Sequence, residues 1–253
     1  NLIGNTLEFP EDYYQGEYIV DIARKLKNEF GDKLINESAE GKFKEAAKSE
    51  IFDDIKSSLK KLSINHKIFF NEKSLYEDGK IDELLIKLKA LDLAYEKEGA
   101  TWLKLAKLTG GEDKVIVKNT GEPTYRLPDI AYHIIKYNRG YDLLVDLFGS
   151  DHNATYPDVL AGIKALGYDA GKVKVLIHQF VTIVKDGEVV KMSTCKANYI
   201  TLDELIDEVG SDVVRYFFNM RSISSHMNFD IDLAKKQSDE NPVFYLQYAH
   251  ARI

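Results

Sequence analysis

An α/β fold with a parallel, doubly wound sheet is predicted by three observations. From Val115 onward, short apolar runs alternate with segments of helical periodicity, the pattern of strands joined by crossover helices. The runs are Val115–Val117, Leu143–Phe148, Val173–Ile177 and Val181–Val184, and breakers punctuate them at Asn119–Pro123, Gly149 and Gly167. Chemistry-bearing residues also fall just past strand ends, where ligands bind in such sheets: Gly149-Ser150-Asp151-His152 after one run and Lys191-Met192-Ser193 after another.

Each element has a local cause. Glu17–Phe30 carries apolar residues at Ile19, Ile22, Ala23 and Leu26, with Gly31 as a helix stop. Phe43, Ala47, Ile51, Ile55 and Leu59 recur every fourth residue, predicting a second helix with that stripe against a core. Lys67–Asn71 reads as a short strand. Ser74 with Glu77 reads as a capping box leading to a helix that buries Ile81, Leu84, Leu85, Leu88 and Leu91. Tyr95–Leu105 predicts a hairpin around Gly99. Helices are predicted over Tyr125–Tyr137, with Pro128 tolerable only near the start, and over Tyr156–Leu166. Asp186-Gly187 is a turn, and Thr201 with Glu204 opens a further helix. Ser211–Met220 is helical. Asn241 caps a last helix with Pro242 at its first position. Its aromatic surface, through Tyr245 and Tyr248, calls for a covering partner, so the natural protein is expected to continue.

Composition excludes several classes. No apolar run is long enough to span a bilayer. Cys195 is the sole cysteine, which rules out an intrachain disulfide and fits a cytoplasmic setting. The formal charge of −7 removes any general basic coat for nucleic acid, although a local basic face could still meet a shaped RNA. The six histidines show no metal-ligand spacing.

Three groups of residues could carry chemistry. Tyr125 and Asp129 lie four apart and share a helix face, where a phenol and a carboxylate can hold a planar cation such as a guanidinium. An Asp favoured by the helix dipole beside a packed tyrosine is the alternative. Gly149 permits close approach of a ligand, and Asp151 beside it can accept hydrogen bonds from ribose hydroxyls or cap the next helix. Lys191 can bring a point charge to phosphate oxygens, with Ser193 donating its hydroxyl and Lys196 nearby.

Taken together these residues resemble arginyl-tRNA synthetase, a class I aminoacyl-tRNA synthetase, over nearly the whole chain. Gly121-Glu122-Pro123-Thr124-Tyr125 with Asp129-Ile130-Ala131-Tyr132-His133 resembles the family's arginine-binding stretch. Gly149-Ser150-Asp151-His152 resembles its nucleotide-binding strand end. Lys191-Met192-Ser193 with Thr201-Leu202-Asp203-Glu204-Leu205 resembles its second signature region. Asn241-Pro242 through Gln247-Tyr248-Ala249-His250-Ala251-Arg252 is similar to the start of its helical anticodon-binding domain, and Glu8–Asp12 with Gln15–Tyr18 to the region after its first catalytic half.

The resemblance implies part of a Rossmann-type parallel sheet. It also implies a division into a helical remainder (1–63), an inserted connective subdomain (64–118), the second half of the catalytic domain (119–210) and a helical junction opening the anticodon-binding domain (211–253). It implies ATP-dependent ligation of L-arginine to tRNA(Arg) through arginyl-adenylate, with Mg²⁺ accompanying ATP, by a cytoplasmic monomer that does not bind membranes. Tyr125 and Asp129 would hold the arginine side chain. Gly149, Asp151, His152, Lys191 and Met192 would bind ATP, and Lys191 and Ser193 would act on the phosphates. The sequence departs from the family pattern in three places, one being that it stops inside the anticodon-binding region. It contains no His-x-Gly-His-like first signature, so the chain alone is expected to be inactive, and the loop reads Lys-Met-Ser-Thr-Cys where the family often has Lys-Arg or Thr-Arg after the serine. A non-catalytic nucleotide- or RNA-binding fragment and another class I synthetase are the alternatives.

Overall fold

The computed structural model describes residues 16–190 and 199–253. Along the chain run α1 (Glu17–Phe30), α2 (Lys44–Lys61), α3 (Lys73–Glu77), α4 (Lys80–Ala90), β1 (Ala94–Lys97), β2 (Ala100–Leu103), α5 (Leu105–Thr109) and β3 (Lys114–Val117). They continue with α6 (Arg126–Asn138), β4 (Leu144–Gly149), α7 (Tyr156–Ala165), β5 (Val173–His178), β6 (Val181–Lys185) and β7 (Glu188–Val189). The last are α8 (Leu202–Val209), α9 (Ser211–Asn219), β8 (Met227–Asp230), α10 (Ile231–Lys235) and α11 (Pro242–Ala251). These divide into two compact units. One comprises Ile68–Phe180 with Ile223–His226, and the other draws on the described residues among 1–67, 181–222 and 227–253.

In the first unit β1 and β2 form the expected hairpin across Glu98 and Gly99, and β3 pairs antiparallel with β2. β4 and β5 pair in parallel, from Leu144 beside Val173 to Gly149 beside His178. One core joins α4, the hairpin, α6 and α7 through Leu88, Leu103, Ile116, Leu127, Ile130 and Ile163, all of them fully buried. In the second unit β6 pairs in parallel with β8 and antiparallel with β7, across the Asp186-Gly187 turn. Both turn residues have positive φ, 54° and 74°, which suits an Asp-Gly hairpin turn. Phe229, Ile231 and Val214 centre its main core. The α/β class and the parallel pairing are as predicted, but the strands are distributed over three small sheets.

Five local expectations need correction. The α2 stripe faces a core only in part: Phe43, Ile51 and Ile55 are exposed, while Ala47, with Ala46 beside it, packs against Ile22, Leu26 and Leu34. At ~100° per residue an every-fourth pattern drifts by ~40° per step, so Phe43 and Leu59 end on nearly opposite sides of the helix. Lys67–Asn71 forms no strand; Phe70 instead stacks on Tyr132 of α6 with ring centroids 4.2 Å apart. Ser74 and Glu77 lie inside α3 and form no capping box, because the Ser74 hydroxyl donates to the Asn71 carbonyl at 2.8 Å. Leu91 follows the end of α4 and is exposed, and Leu105 leaves the hairpin to open α5. The Thr201–Glu204 box and the Asn241 cap form as predicted.

Candidate active site

The candidate site is built around the first turn of α6. A turn with Gly121 at φ 84° returns the chain to β3, where the Thr124 amide donates to the Ile116 carbonyl and its hydroxyl to the Val115 carbonyl, both at 2.8 Å. Tyr125 then caps the helix. Pro128 sits in the first turn, where the missing N–H is not needed. Leu127, Ile130 and Ala131 face the core and leave Tyr125 and Asp129 on the other side. The Arg126 Nε donates to Asp158 Oδ2 at 2.7 Å and ties the start of α6 to the start of α7.

Asp129, His133, Asp146, Phe148, His152 and Tyr156 line a narrow crevice at the carboxyl end of β4. The Asp129 carboxylate is half-buried, and among the described residues no hydrogen bond or ion pair engages it. Burial pushes its carboxyl above the usual range and Glu72 adds to the rise, while His133, His152 and Lys136 pull the other way. A charge held at this cost, with no partner, suits a cationic ligand.

Beneath it lies a buried charge cluster. His133 Nδ1 is 2.7 Å from the Asp129 carbonyl oxygen, and its Nε2 is 2.6 Å from Asp146 Oδ2. Lys136 Nζ donates to Asp146 Oδ1 and lies 3.0 Å from His133 Nε2. Burial alone would raise the Asp146 carboxyl, but the hydrogen bonds from His133 and Lys136 outweigh it and hold the group below its usual range.

The structure brings Asp129 and His152 to the same crevice. His152 stacks on Phe148 with centroids 5.1 Å apart. Gly149 ends β4, and a side chain there would meet Asp151 Oδ1 at 2.5 Å, so glycine leaves room for that carboxylate. Asp151 faces His152 at 3.8 Å, both largely exposed. Tyr125 is 86% exposed and stands outside the crevice lining. Lys191, Met192 and Ser193 lie outside the described residues. The sequence reading passed over His133, Lys136 and Asp146. The available signal was a lone charge, Asp146, inside the apolar run Leu144–Phe148, with His133 and Lys136 three apart on the preceding helix.

Residues 8–220 match the family model described as tRNA synthetases class I (R), catalytic domain. The chain is 56% identical to an arginine–tRNA ligase of Desulfotalea psychrophila, covering all of this chain and 46% of that protein, and 52% identical to one of Salinibacter ruber, covering 97% and 44%. It spans about half the length of the curated relatives it matches. A crystal structure from Campylobacter jejuni assigned as an arginyl-tRNA synthetase superposes with a TM-score of 0.90 at 35% identity, over 99% of this chain and 55% of that one. A Thermus thermophilus arginyl-tRNA synthetase shares the fold, with a TM-score of 0.67 at 16% identity over 92% of this chain and 50% of that one. With the family model matching well over half of its residues, this chain belongs to the class I (R) tRNA synthetases through their catalytic domain.

Proposed function

We propose that this chain is the central part of an arginine–tRNA ligase and that it supplies the pocket for the arginine side chain. The observation that carries this reading is the half-buried Asp129 carboxylate on the crevice wall, which has no partner among the described residues. A guanidinium would present two parallel N–H donors to it and neutralise it. Tyr125, four residues earlier on the same helix, closes on the ligand from the solvent side. Gly149, Asp151 and His152 receive adenosine: the glycine gives backbone access, the Asp151 carboxylate accepts from ribose hydroxyls, and the His152 ring offers a stacking surface.

In the first step the carboxylate oxygen of arginine attacks the α-phosphorus of ATP, and the bond to the bridging oxygen breaks to release pyrophosphate. The arginyl group then passes from the adenylate to a terminal ribose hydroxyl of tRNA(Arg), releasing AMP. No enzyme side chain is acylated, so the protein contributes positioning and charge. Lys191, Met192 and Ser193 are assigned to the phosphates, with the ammonium and the hydroxyl meeting oxygens where negative charge builds. Mg²⁺ would accompany ATP, and no step runs through it. None of the described helices is long and apolar enough to cross a membrane.

The test is steady-state aminoacylation by the full-length protein. Asp129→Ala should raise the arginine KM by at least about 100-fold while the ATP KM stays within a few-fold, because a charged hydrogen-bonded contact contributes about 1.5–3 kcal/mol and both of its bonds are lost. An unchanged arginine KM would remove Asp129 from the pocket.

A further inference from the structure

We propose that His133 is a positioning residue for arginine recognition: an imidazolium held between the Asp129 carbonyl and the Asp146 carboxylate, it fixes the turn that carries Asp129 and faces its carboxylate with a positive charge. This rests on the assignment of Asp129 to the arginine pocket.

The argument starts from proton positions. A carbonyl oxygen only accepts hydrogen bonds, and so does an ionised carboxylate. His133 Nδ1 lies 2.7 Å from the first and Nε2 2.6 Å from the second. Both contacts are hydrogen bonds only if both ring nitrogens carry protons, which makes the ring a cation; Lys136 Nζ, a donor only, also lies 3.0 Å from Nε2, and in this arrangement it bonds to the shared Asp146 carboxylate and not to the ring. The carboxylate is kept ionised by a second donor, Lys136, on its other oxygen. The cluster of His133, Lys136 and Asp146 therefore carries one net positive charge. It is largely buried, with the His133 side chain 5%, the Asp146 side chain 7% and the Lys136 side chain 14% exposed.

That charge sits under the one carboxylate of the crevice that lacks a partner among the described residues. Asp129 is faced by His133 and Lys136 from its own helix, by His152 from the turn after β4, and by Glu72 from the segment before α3; Asp146 of β4 is already neutralised by its two cations. Burial and Glu72 favour the neutral form of Asp129, and the three cationic or titratable neighbours favour the charged one, with His133 the largest of them. A protonated Asp129 would offer a guanidinium an O–H in place of one acceptor, so His133 keeps the pocket in its binding form. The Nδ1 bond also gives the Asp129 carbonyl a side-chain donor within its own helix, pinning the backbone from which the carboxylate projects.

Two measurements on the full-length protein test this. With selective ¹⁵N-histidine labelling, and the His133 signal assigned by its loss in His133→Gln, both ring nitrogens should read as protonated at neutral pH; a neutral tautomer would overturn the proposal. In aminoacylation, His133→Gln should raise the arginine KM about tenfold with kcat little changed, the scale seen when an orienting partner behind a ligand group is removed. The acidic limb of kcat/KM for arginine should move to higher pH. A raised KM with an unmoved limb would reduce His133 to a packing role. Asp146→Asn should reproduce the KM effect, and the double variant should be no worse than either single one, since all act through one chain. If Asp129→Ala leaves arginine binding intact while the imidazolium is observed, the pocket assignment fails; if Asp129→Ala abolishes binding and the ring is neutral, only the role of His133 fails.

Discussion

Asp129 and Asp146 are two carboxylates of one crevice whose environments push them in opposite directions. The carboxyl of Asp129 is raised in the folded chain, so its contribution to stability is present below the unfolded value, about 3.9, and is lost as pH rises through the folded one. At neutral pH its ionised form opposes folding. Asp129→Asn should therefore stabilise the protein at neutral pH by about 0.5–1 kcal/mol while abolishing arginine binding, a function-for-stability exchange. Thermal melts at neutral pH and below about pH 3.5 check this, and a gain that persists at the lower pH would contradict it. Asp146 is lowered, so its contribution is present above the unfolded value and fades as pH falls through the folded one. Asp146→Asn strands His133 and Lys136 in a buried site and should cost about 3 kcal/mol at neutral pH. Asp129 and Tyr125 stand out in the sequence because the i, i+4 spacing is local, yet the structure brings only Asp129 to the crevice. The Asp146 cluster was not, because it joins a strand to a helix and only the fold brings its three members together.

Helix packing decides how firmly that crevice is held. α6 and α7 meet at Gly162, where an added Cβ would lie 2.7 Å from Ile130 Cδ1 and 4.0 Å from Leu103 Cδ2. Alanine would gain about 1 kcal/mol of helix propensity over glycine. Against that, Ile130 and Leu103 are fully buried, and overpacking such a core costs about 1–3 kcal/mol. The second effect wins: Gly162→Ala should destabilise by about 1 kcal/mol, and urea unfolding that shows a net gain would mean the core has slack at this point. At α8 the Thr201 amide donates to Glu204 Oε2 at 2.7 Å, and the Glu204 amide donates to Thr201 Oγ at 3.1 Å. The same Ser/Thr-x-x-Glu spacing at Ser74 and Glu77 produced nothing of the kind, since α3 starts one residue before Ser74 and turns its hydroxyl back to Asn71. A capping motif read from sequence is thus a statement about two residues whose outcome depends on where the helix begins, and that boundary is the part sequence determines least.

At the scale of the whole molecule, alternation of strands and helices made the fold class legible, while the assembly of the strands into separate short sheets was not, because register and sheet order depend on long-range pairing that no local pattern encodes. The same holds for the proposed pocket: Asp129 lines the crevice, but Tyr125 stands in solvent and the chain spans about half of its relatives' length. Ligand selectivity and ligand affinity should therefore separate. On the proposed reading, selectivity would follow from the charge of Asp129, which this chain contains, and affinity from how completely the pocket is closed around the ligand. Calorimetric titration of the 253-residue chain and of the full-length protein with L-arginine, lysine and citrulline tests the division. In both, arginine should bind most tightly. Lysine keeps the charge but loses the planar fork, and citrulline keeps the shape but loses the charge. The full-length protein should prefer arginine to citrulline by about 2 kcal/mol, roughly 30-fold, the difference between charged and neutral hydrogen bonding to a carboxylate. The 253-residue chain should keep that order at an affinity lower by at least about tenfold, because a ligand left open to water on one side gains less from each charged contact. Citrulline binding as tightly as arginine would show that the crevice reads shape alone, and Asp129 would then have no part in choosing the amino acid.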